Sequence, residues 1–245
     1  MKKKIKREFV SVVKALDECM SGFGFNFVPP DNDPVKHIFV WEKKLSETLL
    51  TNMFFSISAA IESDKLNVEP LVMIDSVFVA ESYRELGLFQ DGGRVSSVVV
   101  PKSMQVIRFF PAHIRWQDNL DIEYSTLSFN ENFIDLFVND FSDVMKNFVM
   151  PIVEQLSSPL QVANFQLRAD EFMSTRLPCR IRRYEVMSEY ISTALLLIES
   201  GNKDSAIELL NQILRKKEIM RSGLHPVYFE RLFWQIEKVL ANYRQ

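Results

Sequence analysis

Asp121 and Glu123 stand two residues apart in a segment, Leu120 to Thr126, that reads as a strand. Strand spacing turns both carboxylates to one face, as a glycosidase needs for its paired acids. A solvated strand face carries the same pattern with no chemistry attached. Cys179 is the second candidate. Arg176, Arg180, Arg182 and Arg183 surround it, and such a field lowers a thiol pKa. A small apolar residue following Pro178 at a helix start explains it equally well. Cys19 lies on an amphipathic pattern with no histidine nearby.

Other reactive constellations are missing from the sequence. His37, His113 and His225 lie far apart, and no His-x-x-x-His or Cys-x-x-Cys pairing supplies convergent metal ligands. No Gly-x-Ser-x-Gly elbow occurs, and Asp91-Gly-Gly-Arg94 is too short for a phosphate cradle. The expectation is a protein that is not an enzyme and uses neither cofactor nor metal.

Charge is the feature that points outward. The thirty residues from Trp116 to Met145 carry seven carboxylates and no lysine or arginine, in a chain whose net charge is only −3. These acids are Asp118, Asp121, Glu123, Glu131, Asp135, Asp140 and Asp143, and all seven are candidate partner-binding residues. An uncompensated field of this kind steers a basic partner. The competing use is internal pairing with the Arg176 to Arg183 cluster. The basic segments themselves do not read as a nucleic-acid site. Nine cations between Arg176 and Arg221 are interspersed with six acids, a net of only +3, without aromatic or glycine interleaving.

The elements that must position these groups follow from periodicity. Ile5, Phe9, Val12, Val13, Leu16 and Met20 form one helical face, which Gly22 is expected to stop. Phe23, Phe25 and Phe27 alternate as a strand, and His37 to Lys43 reads as another. Leu49 to Ile61 is the clearest strand, with Leu49, Met53, Phe55 and Ile57 on one parity and Asn52, Ser56 and Ser58 on the other. Leu71 to Val79 reads as a strand that Asp75-Ser76 could divide, with one or two helical turns at Glu81 to Leu86. Val95 to Val100, Gln105 to Phe110, His113 to Trp116 and Leu120 to Thr126 complete a meander. After Ser128 the period becomes helical. Ser128 and Glu131 have capping-box spacing, and Phe133, Phe137, Phe141, Val144, Phe148, Val149 and Ile152 form a stripe that Pro151 should kink or end. Helices then follow at about 159–173, 181–200, 204–220 and 226–243.

The fold class is therefore α+β: an N-terminal helix on a mostly antiparallel sheet, then a helical bundle. The change of period divides the chain into expected domains 1–128 and 129–245, with a shared interface. Twenty phenylalanines against seven glycines imply a core of large rings and few flexible loops. The basic N-terminus has no apolar run behind it, no stretch suits a membrane span, and two cysteines make no disulfide framework. A cytoplasmic location is expected.

Leu197 to Leu214, with Gly201, Ala206, Leu210 and Ile213, resembles the turn and second helix of one tetratricopeptide unit. No second copy appears at the expected period, so the resemblance implies a packed helical hairpin rather than an array. The leading functional expectation is an immunity- or inhibitor-type protein that masks a basic protein partner, such as a toxin, through its acidic face. An adaptor docking through the helical half is the alternative. A hydrolase using Asp121 and Glu123, or Cys179, is the third.

Overall fold

The computed structural model describes residues 2–29, 38–59, 65–88, 102–109, 127–128, 133–168, 186–218 and 226–244. It is an α+β protein. Helix α1 (Lys2–Gly22) forms where Val12, Leu16 and Met20 recur at helical spacing, and all three are fully buried. Gly22 is its last residue, but the reversal happens at Gly24, whose φ is +80°. The Phe25 N–H donates to the Met20 carbonyl and the Gly24 N–H to that of Ser21, both at 3.0 Å. This pair of hydrogen bonds satisfies carbonyls left open at the helix end and requires the left-handed conformation that glycine adopts freely.

Five strands follow the order β1-β2-β3-β4-β5: β1 (Asn26–Val28), β2 (Ile38–Lys44), β3 (Leu49–Ala59), β4 (Lys65–Ser76) and β5 (Met104–Phe109). The two-residue β6 (Leu127–Ser128) pairs antiparallel with the start of β4. Register places Phe27 opposite Trp41, Trp41 opposite Met53, and Phe39 opposite Phe55. The alternation in β3 appears as expected on one side, where Leu49, Thr51, Met53 and Phe55 are fully buried. On its other side Ser56 is exposed, but Asn52 is buried as well. Thr51 meets its burial by donating its hydroxyl to the Met73 carbonyl at 3.3 Å.

The strand expected at Leu71 to Val79 starts earlier, at Lys65, and ends earlier, at Ser76. Ser76 is the reason for the early end. Its Oγ accepts from the Val79 N–H at 3.1 Å, capping α2 (Val77–Glu85) and converting the apolar Val77-Phe78-Val79 run into a first helical turn. The strands expected at Val95 to Val100, His113 to Trp116 and Leu120 to Thr126 lie outside the described residues. Glu131 of the expected capping box does too, while Ser128 belongs to β6.

The aromatic stripe builds α3 (Phe133–Val144), in which Phe137, Phe141 and Val144 are buried. Pro151 does not end the helical path. A π-helical turn at Met145–Val149 precedes α4 (Met150–Gln155), and the Met150 N–H donates five residues back to the Met145 carbonyl. Proline has no N–H to give, and its ring would collide with the carbonyl four residues back in a regular helix. The wider turn is where the path absorbs it. Next come α5 (Pro159–Leu167), capped by Ser158, then α6 (Val186–Glu199), α7 (Lys203–Arg215) and α8 (Pro226–Tyr243).

These elements sort into two compact units, each assembled from separated segments. One holds α1, β1 to β3, β4 as far as Ile74, β6, α3, the π turn and α4. Its core is a relay of rings, Trp41 to Phe55 at 5.4 Å, Phe55 to Phe141 at 5.1 Å and Phe141 to Phe137 at 6.0 Å, with the exposed Phe27 seated on Trp41 at 5.2 Å. The Trp41–Phe55 and Phe55–Phe141 contacts are edge-to-face, which matches the positive ring edge to the negative face. The indole N–H of Trp41 is satisfied by Asp17 of α1 at 2.8 Å.

The other unit holds the end of β4, α2, β5 as far as Ile107, and α5 to α8. Helix α6 is its axis, with every residue from Ile191 to Leu197 buried and α2, α5, α7 and α8 packed on it. Two glutamines tie segments of this unit together. Gln166 donates to the Val106 carbonyl at 2.6 Å and accepts from the Thr193 hydroxyl at 2.7 Å, and Gln235 donates to the Leu88 carbonyl at 2.9 Å. Burial pushes the Tyr83 hydroxyl far above its ordinary pKa, with Arg231 opposing the shift.

Candidate protein-binding surface

Helix α3 carries its apolar residues on one side because Phe137, Phe141 and Val144 recur at three- and four-residue spacing. The same geometry sends Asp135, Asn139 and Asp143, each four residues apart, to the opposite side, and all three are exposed. Among the described residues neither Asp135 nor Asp143 has a salt bridge or hydrogen-bond partner. Eight residues of helix separate the two carboxylates by about 12 Å along the axis. That exceeds the Debye length of about 8 Å at physiological ionic strength, so their mutual repulsion is small. The stripe closes at Lys146, which is also exposed.

Asp140 departs from the expected arrangement. It lies between the two faces, half-buried, and is engaged within the protein. The hundred-degree step of the helix explains this: five residues from Asp135 is a rotation of about 140°, toward the flank rather than the outer face. Asp118, Asp121, Glu123 and Glu131 lie outside the described residues. Of the seven candidates, then, the structure brings Asp135 and Asp143 together on one exposed stripe and sets Asp140 beside it.

Helix α1 packs against α3 and supplies the neighbouring surface. Its exposed Glu18 is matched by Lys14 at 3.8 Å, so it adds little net charge. Cys19, on the flank of α1, is half-buried and hydrogen-bonded to Ser142 of α3. Burial pushes its thiol up and the Ser142 bond only partly offsets that. A thiol in this setting is a packing residue, not an activated nucleophile.

Asp121, Glu123, Cys179 and the three histidines all lie outside the described residues. No group of three His, Cys, Asp or Glu side chains could hold a metal ion among the described residues, and no described helix is long and apolar enough to cross a membrane. Of the basic residues, Arg176, Arg180, Arg182 and Arg183 are also outside. Arg215 pairs with Glu208 at 3.4 Å, and Lys217 pairs with Glu237 at 3.7 Å while covering the Phe233 ring.

The tetratricopeptide-like segment folds as a helical hairpin. Gly201, with φ +80°, joins α6 to α7, and the Asn202 N–H donates to the Leu197 carbonyl at 2.8 Å. Ala206, Leu210 and Ile213 are the buried stripe of α7. Helix α8 packs on both members of the hairpin.

Two contributions were missed by motif reasoning: the Asp17–Trp41 bond and the seat of Lys43. The Lys43 ammonium donates to the Phe23 carbonyl at 2.9 Å and lies 5.8 Å from the centre of the Phe25 ring. The sequence hint for the first was an acid on the apolar side of an amphipathic helix in a chain with a strand tryptophan. No family model, no curated protein and no solved structure matches this chain.

Proposed function

We propose that this protein is a non-catalytic intracellular binding protein that engages a basic protein partner through the outer stripe of α3. The observation that carries the reading is the pair Asp135 and Asp143, exposed and without an ion-pair partner among the described residues, on a helix whose opposite face is locked into an aromatic core. A rigid, preorganised row of carboxylates attracts a cationic surface at long range and contributes specificity once docked. Within this reading the finer proposal is an inhibitor- or immunity-type role, in which carboxylates fill a cationic cleft of a nuclease or other toxin. The remaining acids of the 116–145 window would enlarge the same field.

A second reading rests on a separate observation. The α6–α7 hairpin, with α8 packed on it, has the form of a helical docking module, and an adaptor would use its outer face. Affinity capture from the native cell with two baits separates the readings. One bait carries Asp135→Lys and Asp143→Lys; the other carries Asp204→Lys and Glu208→Lys on the exposed side of α7. Loss of a stoichiometric basic protein with the first bait alone supports the acidic stripe. Loss with the second alone supports the adaptor and overturns the first reading.

A further inference from the structure

We draw no further inference here: the strongest candidate, the exposed apolar pair Val28 and Ile38 on one face of the β1–β2 edge of the sheet, carries nothing because nothing in the structure shows what covers it.

Discussion

Asp17 shows how one polar atom is used to fix an aromatic core. Trp41 is fully buried, so its indole N–H must find an acceptor, and Asp17 supplies one at 2.8 Å from a half-buried position on α1. Asp17→Ala should destabilise the protein by about 1–3 kcal/mol, the cost of leaving a buried donor unsatisfied. In that background Trp41→Phe should cost less than it does in the wild type; urea titrations of the four proteins provide the cycle, and equal costs would show the bond to be incidental. Cys19 gives a residue-scale prediction in pH. Its thiol is raised by burial, so it should react with a thiol probe more slowly than a free thiol at pH 8. The sign for stability follows. A raised folded pKa means the folded state holds its proton longer, so the contribution is complete below the ordinary thiol range and is lost as pH climbs through the folded value. A reaction as fast as that of a free thiol would contradict the packing role.

At the scale of elements, β3 gives the sharpest contrast. Phe55 is fully buried between Trp41 and Phe141, while Ser56, the next residue, is exposed. Phe55→Ala should cost about 3–5 kcal/mol, and Ser56→Asp should stay within about 0.5 kcal/mol; thermal melts of both variants check the register. Much of this layer was legible in the sequence. Phe137 and Phe141 declare a helix by spacing, and Leu49, Met53 and Phe55 declare a strand by parity. The misplaced boundaries have local physical causes. The run Val77-Phe78-Val79 is strand-like in composition, and a single Ser76 hydroxyl turns it into helix. Pro151 was expected to kink or end the stripe, and the helical path passes it by way of one π turn. Neither outcome can be read from periodicity, because each depends on one hydrogen bond. For the acidic stripe, Asp135 and Asp143 were legible as outward-facing from the positions of Phe137 and Phe141. Asp140 was expected to face outward with them, although its five-residue step from Asp135 already turns it about 140° toward the flank.

At the scale of the molecule, the two units are woven from separated stretches of chain rather than laid end to end. The change from strand to helix periodicity near residue 128 marks a change of element type, and α3 beyond it completes the core containing Phe55. A fragment spanning 1–128 should therefore fail to fold cooperatively, since it lacks the Phe137 and Phe141 rings that close that core. Calorimetry of the fragment checks this, and a sharp transition would show that the sheet stands without α3.

The central claim is that the outer stripe of α3 recruits a basic partner by charge. The direct test is the association rate of the captured partner with wild-type protein and with the Asp135→Lys/Asp143→Lys variant, measured by stopped flow across a salt series. Both positions are exposed, and Asp135 lies in the first turn of α3. The double change should thus cost no more than about 1 kcal/mol of stability, confirmed by matching circular dichroism spectra and melts. At low salt the variant should associate at least ten-fold more slowly, with the deficit shrinking as salt screens the field. Equal rates at low salt in a folded variant would contradict the account.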